Sequence, residues 1–154
     1  MRYVVAIVAS AAVVPAACGA SASTPRADEG RRIEVSMKEF AFTPATLSLK
    51  AGEKVTLAFK QAGTVEHEFM AGRDPMKDMG YVQDLFAGLE HEIRPTPTSD
   101  HGMGHGAERV GVRVLPGKTA TLTFVVPSKP GTYEFGCFVA GHYEAGMKGT
   151  LAIQ

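Results

Sequence analysis

The chain has 154 residues, 45% of them apolar, enough for one domain with a modest core. Lys plus Arg and Asp plus Glu number 16 each, so the basic surface that nucleic-acid binding requires is missing. No run of like charge marks an anionic membrane surface.

The chain opens on a targeting signature. Arg2 supplies a short positive region, and Tyr3 to Ala17 is apolar apart from Ser10 and Pro15. That is long enough for the apolar core of an export signal and short for a membrane span. Two processing points fit. Cleavage after Ala22, in "ASA", makes residues 1–22 the signal and releases a soluble chain. Cleavage after Ala17 leaves Cys18 at the new N-terminus as a lipid anchor, although Pro15 stands where a lipoprotein signal usually has leucine. Either way the expectation is an exported protein of the bacterial periplasm, touching a membrane only through lipid on Cys18. Residues 23–31 are small and polar, broken by Pro25, and read as a linker to a domain over 32–154.

Ile33, Val35 and Met37 alternate with polar residues, the period of a half-buried strand. Leu47 and Leu49 alternate, "AGEK" turns, and Val55, Leu57 and Phe59 alternate again. "QAGTVEHEF" reads as a turn and a strand with Val65, His67 and Phe69 facing inward. Later strands follow through Val110, Val112 and Val114, through Leu122, Phe124 and Val126, and through Tyr133, Phe135 and Cys137. "MKGTLAIQ" closes the chain with Met147, Leu151 and Ile153 on one parity. Short strands between Gly/Pro turns predict an all-β sandwich of the Greek-key type.

Between Arg73 and Gly106 the pattern changes. Asp74 offers an N-cap, Pro75 stands at the first helical position, and Met79, Val82, Leu85, Phe86 and Leu89 recur at helical spacing. The expectation is an insertion over about 73–106 holding a short helix. A flexible Pro-, Gly- and His-rich loop follows it from Ile93.

Cys137 carries the chemistry. Once Cys18 is removed or lipidated it has no disulfide partner, and an exported thiol must be buried or bound to escape oxidation. Acting as a small buried hydrophobe is one explanation. The neighbours favour another: His142 and Met147 follow in a Cys-x4-His-x4-Met run between two predicted strands. Thiolate, imidazole and thioether together suit copper cycling between Cu(I) and Cu(II), whereas zinc rarely takes a thioether. His67, on the inward parity of its strand, is the candidate second imidazole.

These residues resemble the cupredoxin family of blue-copper proteins, of the plastocyanin and azurin kind, over roughly Ile33 to Gln154. "FTPATLSLKAGEKVTLAFKQAGTVEHEF" is similar to the family's approach to its first histidine, and "PGTYEFGCFVAGHYEAGMKGTL" to its ligand loop and last strand. The ligand spacing is similar to that of rusticyanin and sulfocyanin. The resemblance implies His67, Cys137 and His142 as equatorial ligands of one copper per chain, with Met147 as the weak axial ligand. It also implies that the His142 edge reaches the surface through a small apolar patch, here Val139, Ala140, Gly141, Tyr143 and Ala145. Two positions depart from the family: Glu68 stands where asparagine commonly follows the first histidine and helps tie the ligand loops together, and "QAG" precedes that ligand.

The chain is not expected to be an enzyme. Gly136 and Phe138 flank Cys137, so no adjacent histidine leads to a trinuclear copper cluster. No oxyanion feature supports a Cys137–His142 nucleophile. The resemblance implies a one-electron carrier with a redox partner protein such as a cytochrome. The alternative is copper resistance, storage or delivery with a copper donor or acceptor protein, using a secondary site of His91, His101, Met103 and His105 in and before "DHGMGHG".

Overall fold

The computed structural model describes residues 30–95 and 109–154. Eleven strands run through the described residues: β1 (Arg31–Lys38), β2 (Ala41–Thr43), β3 (Thr46–Leu49), β4 (Lys54–Gln61), β5 (His67–Met76), β6 (Gly80–Asp84), β7 (His91–Arg94), β8 (Val112–Val114), β9 (Thr119–Val125), β10 (Gly131–Gly136) and β11 (Lys148–Ile153). They form two sheets. One has the order β2-β1-β4-β9-β7, and the other the order β3-β11-β10-β5-β6, with β8 pairing β5. The β1–β4 and β3–β11 pairs are parallel and the rest antiparallel.

The alternating residues of both sheets meet between them. Met37, Leu49, Val55, Leu57, Leu122, Met147 and Leu151 are fully buried. Phe69 sits at the centre, its ring 4.8 Å from Phe59, 5.2 Å from Phe135 and 5.9 Å from Phe42. Val65, expected to face inward, is 40% exposed, because the strand starts at His67 and Val65 belongs to the preceding loop.

The expected helix is absent among the described residues. Asp74 and Asp78 both adopt left-handed backbone conformations, φ 56° and 55°, which a right-handed helix excludes. Pro75 pairs with Tyr81 and Met76 with Gly80, making a β5–β6 hairpin. The apolar spacing misleads because Met79 and Val82 face solvent. Tyr81 is buried instead, packing with Met70 and Phe138 in a second small core, and Leu85 and Phe86 enter the main core. Ile93 and Arg94, assigned to the flexible loop, instead pair with Leu122 and Thr121 of β9. Residues 96–108 of that loop lie outside the described residues, as do the proposed signal, Cys18 and most of the linker.

Glu39, in the turn between β1 and β2, holds a distant segment. Its carboxylate accepts hydrogen bonds from the Thr64 and Val65 backbone N–H groups, the latter at 3.0 Å, and from the Thr64 hydroxyl at 3.1 Å. Its own backbone N–H and those of Thr64 and Val65 hold its pKa down to about 2, from an ordinary 4.5.

Two outcomes follow from this architecture. Phe69→Ala empties the centre of the core and should cost about 3–5 kcal/mol in denaturant unfolding, and a loss below about 1 kcal/mol would contradict the packing described. Because folding lowers the Glu39 pKa, the contribution of its carboxylate is present above pH 4.5 and fades as pH falls toward 2. The wild type should therefore exceed Glu39→Gln in stability near neutral pH, by a margin that shrinks across that acid window; a constant margin would argue against the tether.

Candidate metal centre

Topology brings the sequence-predicted ligands to one end of the sandwich. Strands β10 and β5 are antiparallel neighbours, with Gly136 opposite Met70, so the end of β10 meets the start of β5. Cys137 follows β10 directly and His67 opens β5. Strand β11 lies on the other side of β10, and Met147 precedes it directly. The Cys137 N–H donates to the Met147 carbonyl at 3.1 Å, continuing the β10–β11 ladder into the loop.

The loop over 137–147 is tightly wound. The His142 N–H donates to Val139 O at 2.9 Å, and Met147 N–H to His142 O at 3.0 Å. Gly141 and Gly146 take φ of 81° and 97°, conformations that side chains with a Cβ rarely adopt. Tyr143 braces the loop from outside: its ring stacks on Phe138 at 4.9 Å and its hydroxyl donates to Glu134. Burial, the Glu134 bond and nearby carboxylates push the Tyr143 phenol above its ordinary range, so it remains a donor.

Three ligand atoms converge inside this frame. Cys137 Sγ lies 3.3 Å from His142 Nδ1 and 3.9 Å from His67 Nδ1, and the two Nδ1 atoms are 3.2 Å apart. Cys137 and His67 are fully buried and His142 is 9% exposed. A metal with nitrogen ligands near 2.0 Å and sulfur near 2.3 Å needs donor separations of roughly 3.4–3.7 Å in a trigonal plane, so the triangle has the right size. Met147 is also fully buried, and its backbone bonds both Cys137 and His142. A thiol, two imidazoles and a thioether are the donor set of a copper site that changes oxidation state.

Burial sets the charge state of two of these groups. Burial pushes the Cys137 thiol up, with the Glu68 and Glu66 carboxylates adding to it, against hydrogen bonds from the Glu68 and Val139 backbones. Burial, then the His142 ring, lowers the His67 pKa, with Glu39 opposing, so the ring is held as the neutral ligand form. The Glu68 N–H donates to Cys137 Sγ at 3.3 Å. Replacing the family's asparagine thus leaves a backbone bond to sulfur in place, since any residue at 68 supplies that amide. His67 Nε2 is buried without a hydrogen-bond partner among the described residues.

Of the secondary site, only His91 falls among the described residues. His91 lies in β7, half-buried, with Nδ1 bonded to Leu89 O at 2.9 Å. It is level with Phe124 and Val55, whereas the metal end of that sheet lies at Gln61, about 20 Å further along β4. His101, Met103 and His105 lie outside the described residues.

Sequence reasoning missed two residues beside the centre. Gln61 is 2% exposed; its carboxamide donates to Val65 O and accepts from Gly63 N–H at 2.7 Å. Glu39 grips the same loop from 25 residues away. The only available signal was a polar residue at the inward parity of β4, for Gln61; nothing local marks Glu39.

The cupredoxin-like domain family matches residues 6–99 of the chain. A copper-resistant cuproprotein of Pseudomonas aeruginosa, CopI, is 35% identical over 143 residues, spanning 83% of this chain and 78% of that protein. Auracyanin-A of Chloroflexus aurantiacus is 29% identical over 165 residues, spanning 97% of this chain and 94% of its own. The solved structure of auracyanin B superposes with a TM-score of 0.55 at 26% identity, over 80% of this chain and 88% of the other. On its sequence, its sandwich and the placement of its ligand loop, the chain belongs to the cupredoxin family.

Proposed function

We propose that this chain is an exported type 1 copper protein that carries one electron. The observation that carries the reading is the buried triangle of Cys137 Sγ, His67 Nδ1 and His142 Nδ1, already closed to metal-binding separations by the protein's own hydrogen bonds. His67, Cys137, His142 and Met147 would hold one copper, which would supply a Cu(I)/Cu(II) couple there. The protein's part is to keep these donors nearly still. The bonds around His142 and Met147, the Glu68 N–H on sulfur and the Tyr143–Glu134 brace all oppose movement when charge changes. Ala140, Gly141 and Ala145 are exposed around the His142 edge, offering a small apolar contact for a redox partner such as a cytochrome. Four protein ligands leave no open position for substrate, and Gly136 and Phe138 bring no further ligand beside Cys137, so the role is not enzymatic.

A second reading is favoured by the likeness to the copper-resistant CopI: copper tolerance or delivery in the periplasm, with copper exchanged with a donor or acceptor protein. Export, read from the first 22 residues, serves both readings.

One equivalent of Cu(II) should produce intense thiolate-to-copper visible absorption, and Cys137→Ser should abolish it; colour surviving in Cys137→Ser would sink the centre. Deleting residues 100–106 separates the roles. A carrier should retain its electron-exchange rate with a reduced cytochrome and leave host copper tolerance unchanged, whereas lost tolerance would establish the handling role.

A further inference from the structure

We propose that Glu39 and Phe40, neighbours in the β1–β2 turn, form the tie that positions both histidine ligands of the centre. The inference rests on the copper reading above. Cupredoxins commonly use the residue after the first histidine to join their ligand loops, and here that residue is Glu68. Its carboxylate lies against Gly111, where an added Cβ would meet Glu68 Oε1 at 2.7 Å.

The two consecutive side chains address different ligand segments. The Glu39 carboxylate takes three hydrogen bonds from Thr64 and Val65, ending two residues before His67. It fills the space over Gly63, where a Cβ would lie 2.3 Å from Oε2 and 2.4 Å from Oε1, so the loop can approach only because residue 63 has no side chain. Gln61 closes the same loop from the other side. Phe40 sets its ring edge-on to His142, centroids 4.9 Å apart and planes at 66°, while remaining 43% exposed.

The turn that carries both is itself fixed. Met37 pairs with Phe42 and Lys38 with Ala41. Phe42 is buried against Phe69 and Phe135, and Met37 O accepts the Ala62 N–H at 2.9 Å. Movement at Glu39 or Phe40 is therefore resisted by the core, and that rigidity passes to His67 through one residue and to His142 through the next. Glu39 and Phe40 are positioning residues, acting through the ligands they hold.

The test combines the metal-free and copper-loaded protein. In metal-free Glu39→Ala, amide exchange at Thr64 and Val65 should accelerate about tenfold as the acceptor is lost. The copper-loaded form should show shifted visible bands, altered copper hyperfine splitting and a changed reduction potential. Glu39→Gln, which keeps an acceptor oxygen, should restore most of both. Gly63→Ala should reproduce the changes with Glu39 present, covering the case in which Glu39→Ala fails to fold. Phe40→Leu should alter the copper spectrum while leaving Thr64 and Val65 exchange unchanged. Wild-type spectrum and potential in both Glu39→Ala and Gly63→Ala, with faster exchange, would overturn the tie as a positioning device. A wild type without thiolate-to-copper absorption would instead overturn the copper reading, and this proposal with it.

Discussion

The structure depends on keeping one thiol and two imidazoles together away from water. Cys137 and His67 are fully buried and His142 nearly so, with their ligand atoms all within 4.8 Å of one another. Burial favours the neutral forms of Cys137 and His67: it raises the thiol and lowers the imidazole. Without a cation the site is thus a protonated thiol beside a neutral imidazole. A soft cation that replaces the thiol proton meets a sulfur with few competing solvent contacts. Desolvation makes an isolated thiolate costly in this pocket, and a soft cation bound to the sulfur would offset that cost.

A sandwich supplies such a pocket at little cost because its strands are already neighbours. β11, β10 and β5 lie side by side, so the exit of β10, the entry of β11 and the start of β5 share one end. Three donors come from the short loop between β10 and β11, and only His67 must be brought from a distant part of the sequence. The loop before His67 is accordingly the segment that receives extra restraint, from Gln61 within β4 and Glu39 beyond it.

That division explains what was legible in the sequence. Cys137, His142 and Met147 could be read together because they are close in the chain and because a cysteine expected to be exported without a disulfide partner calls for an explanation. The period of β1, β4, β9 and β11 gave the sheet faces for the same local reason. The β5–β6 hairpin was misread because Asp74–Pro75 resembles a helix start and because apolar residues at 79, 82, 85, 86 and 89 fit one helical face. The deciding features were left-handed Asp74 and Asp78, exposed residues about the β5–β6 hairpin, and the burial of Tyr81 under Phe138, which tertiary packing sets. Glu39 was illegible because its partners lie 25 and 26 residues away and nothing in "MKEFAF" announces them.

Rigidity and metal exchange make opposite demands on such a site. An electron carrier gains from donors that hardly move, because the reorganisation accompanying each change of charge is then small. A delivery protein must let copper leave, which requires at least one ligand segment to open. Among the described residues the restraints on the two sides differ in kind. The His67 side is held by Glu39, Gln61 and the β5–β8 pairing opposite Val114. The His142 side is a loop with exposed Ala140, Gly141, Glu144, Ala145 and Gly146. The contacts that hold the 138–146 loop include Tyr143 on Glu134, Phe40 on His142, Phe138 on Tyr81 and the loop's own backbone hydrogen bonds. Apart from His142 itself, the side chains in these contacts lie outside the metal-binding set. Carrier and delivery proteins can thus share the same four ligands and differ in how firmly these braces hold the loop down.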